Sequence, residues 1–211
     1  YHGRMKSVYK EAAHLARESQ DFVLATVVNT KGSTPQKPGA KLLVRKDGSG
    51  VGTLGGGCVE GDIWYAAQQL LKRGGDVEYR EYTLNEDLAA EDGLVCGGTM
   101  YFLIDPVYRP EDYLDYAREI DSAYEGGGAV ALASLIKPGP GSDAPLGSKL
   151  FIREDGHTEG SLGDIELDRE AVKKARGLMV HGENDYVVAE SCAEYFVEAY
   201  TTPPQLVICG G

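Results

Sequence analysis

The chain has 211 residues, with 21 basic against 33 acidic side chains and a net charge of −12 at pH 7. That balance argues against a nucleic-acid or anionic-membrane surface, which needs a basic patch. No apolar run approaches the ~18 residues of a membrane span, no charged-then-apolar segment opens the chain, and the four cysteines, at 58, 96, 192 and 209, form no C-x-x-C pair, so a cytoplasmic protein with reduced thiols is expected.

Met5 reads as the natural start, with Tyr1–Arg4 preceding it. Lys6–Ser19 carries Val8, Ala12, Leu15 and Ala16 at helical spacing between charges and predicts a helix. Asp21–Val28 is apolar and β-branched, a buried strand. Asn29–Ala40 holds Gly32, Pro35, Pro38 and Gly39 and predicts a fixed loop. Lys41–Arg45 and Gly50–Leu54 flank Asp47-Gly48, a hairpin signal. Val59, Ile63, Ala66, Ala67, Leu70 and Leu71 line one helical face, with acids in the first turn, Lys72 and Arg73 in the last, and Gly74 as the stop. Val77–Thr83 and Met100–Ile104 read as strands around an acidic loop, Asn85–Asp92.

The chain then repeats itself. Lys41–Gly55 and Lys149–Gly163 share eight of fifteen residues at a constant offset of 108. Ala129–Ile136 matches Asp21–Val28 at the same offset, and Lys137–Ser148 is again a Pro/Gly loop. A hairpin at Asp155-Gly156, a helix from about Asp168 to Arg176 closed by Gly177, and strands Asp185–Val188 and Tyr195–Ala199 follow. An ungapped offset over strand, loop, hairpin and helix implies duplication. The expected fold is α/β: a mixed sheet with helices packed on it, built from two β-loop-β-β-α-β-β units. One domain over 5–201 would hold copies at about 21–110 and 128–200. Residues 202–211 would supply a linker and the first strand of a dinucleotide-binding-like domain, since Leu206-Val207-Ile208-Cys209 runs into Gly210-Gly211.

The copies part after Gly55 and Gly163. The first turns into its helix through Gly56-Gly57-Cys58, whereas the second has Asp164-Ile165-Glu166. Gly55, Gly56 and Gly57 would let backbone N–H groups approach an anion at a helix start. A thiol at Cys58 would there be expected to favour its thiolate, as a nucleophile or soft ligand. The plainer alternative is a small residue in a tight turn. Cys96-Gly97-Gly98 enters a strand and would bring a second thiol to the same sheet end, or else bury it between turn glycines. Lys37 and Lys41 are candidate cations for a bound phosphate, with solvated surface lysines as the default reading, and Gly32-Ser33-Thr34-Pro35 is a rigid turn whose two hydroxyls could face the same site. Cys192 lacks flanking glycines and is read as core. The four histidines show no metal-ligand spacing.

Gly32-Ser33-Thr34-Pro35, Pro38-Gly39-Ala40-Lys41, Gly52-Thr53-Leu54-Gly55-Gly56-Gly57-Cys58-Val59-Glu60-Gly61 and Gly93-Leu94-Val95-Cys96-Gly97-Gly98 together resemble the XdhC/CoxI family, accessory factors of xanthine dehydrogenase-type molybdenum hydroxylases. Gln36 departs from the pattern, where an arginine often follows Thr-Pro. The resemblance implies a non-catalytic chaperone. Such a factor binds the molybdenum cofactor (a phosphorylated pterin dithiolene), protects it while a cysteine desulfurase adds sulfur, and helps insert it into the apo-hydroxylase. It makes Cys58 the leading contact to the cofactor and its metal and Cys96 the second, with Gly55, Gly56, Gly57, Gly97, Gly98, Ser33 and Lys41 around them. It also implies a Rossmann-type continuation, which leaves an NAD(P)-dependent oxidoreductase as the alternative reading. An isologous homodimer is the default assembly.

Overall fold

The computed structural model describes residues 2–84 and 97–202. In chain order the elements are α1 (His2–Arg17), β1 (Phe22–Lys31), β2 (Lys41–Arg45), β3 (Gly50–Gly52), α2 (Gly57–Arg73), β4 (Glu78–Thr83), β5 (Thr99–Val107), α3 (Pro110–Tyr124), β6 (Val130–Lys137), β7 (Lys149–Arg153), β8 (Thr158–Gly160), α4 (Ile165–Met179), β9 (Asn184–Val188) and β10 (Glu194–Tyr200). The strands form two five-stranded sheets, β3-β2-β1-β5-β4 and β8-β7-β6-β10-β9. The α/β architecture with helices packed on sheets is as expected. The strands, however, divide between two sheets, and every pairing in them is antiparallel. Leu206–Gly211, expected to open a further domain, lie outside the described residues.

The duplication is complete at the level of topology. β1 sets Leu24 opposite Leu43, and β6 sets Leu132 opposite Phe151, the same register 108 residues on. Both hairpins close alike: Asp47 Oδ1 accepts from Ser49 N–H at 2.8 Å, and Asp155 Oδ1 from His157 N–H at 2.9 Å. Each copy also opens with a helix. α3 is the counterpart of α1, so the repeating unit is one helix longer than expected. Another correction concerns Gly177, which lies inside α4 rather than after it. Leu178 and Met179 continue the buried stripe of Leu167, Ala171 and Ala175, and their burial outweighs the ~1 kcal/mol that an internal glycine costs.

Alternation along the strands places the core. In β1, Val23, Ala25 and Val27 face α2, while Phe22 and Leu24 face α1, α3 and the second sheet. In β6, Ala131, Ala133 and Leu135 face α4. Both faces are buried, so each strand reads as a continuous apolar run. The layers are therefore α2, first sheet, second sheet and α4. α1 and α3 fill one end of the space between the sheets, and Val28, Leu103, Ile136 and Phe196 close the other by direct contact.

The inner faces carry charge where the copies meet. Lys41 Nζ lies 2.7 Å from Glu198 Oε2, and Lys149 Nζ lies 2.5 Å from Asp105 Oδ2. Lys41 and Lys149 are related by the repeat offset. Asp105 and Glu198 occupy equivalent places in the two sheets, each standing opposite the matching β1 or β6 residue, Leu24 or Leu132. Each copy thus gives its lysine to the other copy's carboxylate. Nearby, Tyr9 and Tyr200 share a buried hydroxyl–hydroxyl hydrogen bond of 2.5 Å, and burial pushes both hydroxyls to ionise well above the usual tyrosine range.

Candidate functional site

The four residues Thr53–Gly56 carry the chain from β3 into α2. Leu54 is buried and anchors the turn. Gly55, Gly56 and Gly57 hold φ of 113°, 76° and 69°, a region that L side chains rarely adopt. A Cβ on Gly55 would stand 2.9 Å from the Pro35 ring, whereas one on Gly56, Gly57 or Gly61 would meet nothing within 4 Å. Gly55 is therefore a packing contact, while Gly56 and Gly57 line open space beside the exposed Cys58.

Three of the segments singled out in the sequence converge here. The Gly32–Pro35 loop touches Gly55 on one side and Gly98 on the other. A Cβ on Gly98 would fall 2.4 Å from the Ser33 carbonyl oxygen and 2.6 Å from that of Lys31, so backbone approaches backbone and only glycine fits. Thr34 Oγ1 donates to the Gln36 carbonyl at 2.9 Å, fixing the loop. Ser33 and Gly97 are exposed here, and Lys37, further along the loop, is exposed as well. Cys96 lies outside the described residues. Cys192, read as core, is instead exposed, at a turn with φ of 61°.

Lys41 does not belong to this site. It is 3 % exposed, donates to Thr26 Oγ1 at 2.9 Å and pairs with Glu198 between the sheets. Burial pushes its ammonium below the usual lysine range, with Glu198 opposing. A lysine so enclosed cannot reach a surface ligand.

The residue missed in the sequence is Glu60. Its Oε2 accepts from Thr53 Oγ1 at 2.6 Å, Leu54 N–H at 2.6 Å and Gly56 N–H at 3.1 Å. Gly55 N–H donates to Thr53 Oγ1 at 3.1 Å. Partial burial raises the Glu60 carboxyl, but these donors together outweigh it and hold the group below the usual carboxylate range. The second copy repeats the clamp: Asp168 takes Ser161 Oγ and Leu162 N–H, both at 2.7 Å. The signal was Thr/Ser-Leu-Gly followed by an acid at matching positions in both copies. The expected anion cradle is corrected accordingly, because the Gly55 and Gly56 N–H groups already serve the protein's own oxygens.

What separates the copies is the next turn. In α4 the Asp164 side chain caps the helix, accepting from Glu166 N–H at 2.9 Å and Leu167 N–H at 3.0 Å. Gly56 stands at the matching position in α2, which has no side-chain cap. The equivalent N–H groups, those of Cys58 and Val59, therefore lack that acceptor at the positive end of the helix dipole. Among the described residues no group of three or more His, Cys, Asp or Glu side chains could hold a metal ion, and no helix is long and apolar enough to cross a membrane.

A duplicated antiparallel α/β protein with one uncapped glycine–cysteine helix start is the class these features define. The chain belongs to the XdhC and CoxI family, whose model matches residues 15–82 and 123–189. The two matched segments begin 108 residues apart, at the repeat offset. The chain is 30 % identical over 162 residues to a probable xanthine dehydrogenase subunit of Bacillus subtilis (strain 168), covering 72 % of this chain and 44 % of the relative. It is 31 % identical over 75 residues to the molybdenum cofactor insertion chaperone PaoD of Escherichia coli (strain K12), covering 36 % of this chain and 24 % of that protein. A crystal structure of a xanthine dehydrogenase from Bacillus halodurans shares the fold, with a TM-score of 0.57 at 24 % identity over 90 % of this chain and 53 % of that one. The chain thus spans less than half the length of these curated relatives.

Proposed function

We propose that the chain acts as an accessory factor that binds the molybdenum cofactor at the start of α2 and helps insert it into a xanthine dehydrogenase-type hydroxylase. Family membership and the similarity to PaoD, named as an insertion chaperone, support this reading. The observation that carries it is the contrast between two equivalent helices: of α2 and α4 only α2 starts without a side-chain cap, beside an exposed cysteine and glycines facing open space.

These residues fit the group. A thiol suits molybdenum, and free helix N–H groups suit an anionic substituent. When bound, the cofactor would supply a molybdenum centre able to take a terminal sulfur. The chain's own part is to hold and shield it: Cys58 would be the ligand, Cys58 and Val59 N–H would receive an anionic oxygen, and Ser33 and Lys37 would border the surface. Protection during sulfuration by a cysteine desulfurase, a role for Cys96 and assembly as a homodimer belong to the same proposal. The dinucleotide-dependent alternative rests on Leu206–Gly211, outside the described residues, and no observation favours it.

The test incubates purified chain with molybdenum cofactor, removes the excess, and measures retained molybdenum and pterin fluorescence. The wild-type chain is expected to retain both. Cys58→Ala should lose most of the molybdenum while its unfolding midpoint stays unchanged, since the side chain is exposed. A wild-type chain that retains neither metal nor pterin sinks the reading.

A further inference from the structure

We propose that Glu60 is the positioning residue for Cys58, setting the geometry of the cofactor site without touching the cofactor; this rests on the accessory-factor reading above. One carboxylate oxygen gathers the Thr53 hydroxyl and the Leu54 and Gly56 N–H groups. It thereby ties the end of β3 to the first turn of α2 across the three positive-φ glycines. A Cβ on Gly56 or Gly57 would meet nothing within 4 Å, and α2 has no side-chain cap. The direction in which Cys58 leaves the helix start is then set by Glu60, two residues on.

The second copy supplies the comparison. Asp168 makes the matching contacts to Ser161 and Leu162, but there Asp164 also caps the helix. Its helix start is held by two carboxylates, and the first copy's by one. The clamp in the second copy is therefore scaffold, whereas in the first it supports an open site. Groups that orient a ligand from behind change affinity by about 10–100-fold when removed.

Glu60→Ala, Glu60→Asp and Asp168→Ala would be compared with the wild-type chain in two measurements. One is molybdenum retained after incubation with molybdenum cofactor. The other is the rate at which iodoacetamide alkylates Cys58, read from the Cys58 peptide by mass spectrometry. E60A should retain about tenfold less molybdenum and alkylate Cys58 at a rate several-fold changed. E60D should restore part of both, because an aspartate makes two of these three contacts in the second copy. D168A should leave both near wild type. The proposal is overturned if E60A behaves as wild type in both measurements, or if D168A loses as much cofactor as E60A. Should E60A fail to fold, Glu60→Met, of similar length but with no oxygen to accept these bonds, replaces it, and wild-type values for that variant overturn the idea equally. A wild-type chain that holds no molybdenum refutes the accessory-factor reading alone; the alkylation rates then decide on Glu60 by themselves.

Discussion

At the scale of single residues, the loop before α2 is governed by how many donors one carboxylate collects. Glu60 is partly buried, which by itself would favour its neutral form, yet three donors favour the anion more strongly and hold the carboxyl down. Its folded value is thus depressed below the unfolded value. The clamp therefore contributes its full stability above the ordinary glutamate range, near 4.5, and loses it only as pH falls through the lower folded value. Amide hydrogen exchange at Leu54 and Gly56, followed by NMR from pH 6 downwards, should show protection persisting through that ordinary value and failing below it. Loss of protection at or above it would show that the donors do not outweigh burial. The same carboxylate shows why the site was only half legible in sequence. Gly56, Gly57 and Cys58 stood out because they break the repeat. Glu60 gives no such signal, because the repeat keeps an acid there as Asp168 and an acid in a first helical turn is ordinary at the positive end of the dipole.

At the scale of elements, α2 and α4 are the same helix started in two ways. Asp164 sits at φ −145° and ψ 134° and caps α4 with two hydrogen bonds, whereas Gly56 sits at φ 76° and ψ −169° and caps nothing. Replacing Asp164 by alanine should cost about 1 kcal/mol, read as a lower urea midpoint with unchanged slope, and should leave cofactor retention untouched. A cost near zero would mean that the α4 start is held by Asp168 alone, and the contrast drawn between the copies would weaken. Most elements were readable from periodicity and turn residues, including α2 with Gly74 as its C-cap. α3 was not predicted, although Tyr113, Ala117, Ile120 and Ala123 make a buried helical stripe behind Pro110 at the first turn. Its acidic exposed face masked the pattern. The repeat arithmetic would have found it, because α1 begins 108 residues before α3.

At the scale of the whole molecule, the two copies face each other as the halves of an isologous interface would, with residue i of one meeting residue j of the other and the reverse. Lys41 with Glu198 and Lys149 with Asp105 are that exchange. Sequence showed that both lysines are kept, but it offered Lys41 as a phosphate contact and gave no partner for either: the pairs form only when two sheets distant in sequence close face to face. Energetically the pairs are a demand as much as a support. Lys41 and Glu198 are 3 % and 6 % exposed, so each ion has given up most of its hydration, and attraction at 2.7 Å offsets that loss only while both partners are present. Lys41→Met should therefore cost about 3–5 kcal/mol, because it leaves Glu198 buried without a cation. Lys41→Met combined with Glu198→Met removes both charges and should recover most of that loss, since apolar side chains of similar volume replace a buried pair at little cost. Urea unfolding of the wild type, the two single variants and the double variant gives the coupling directly. A K41M cost below about 1 kcal/mol would mean that water reaches Glu198 between the sheets. A double variant no more stable than either single one would mean that the charges do more than neutralise each other, with Thr26, which accepts from Lys41 Nζ at 2.9 Å, the first contact to test.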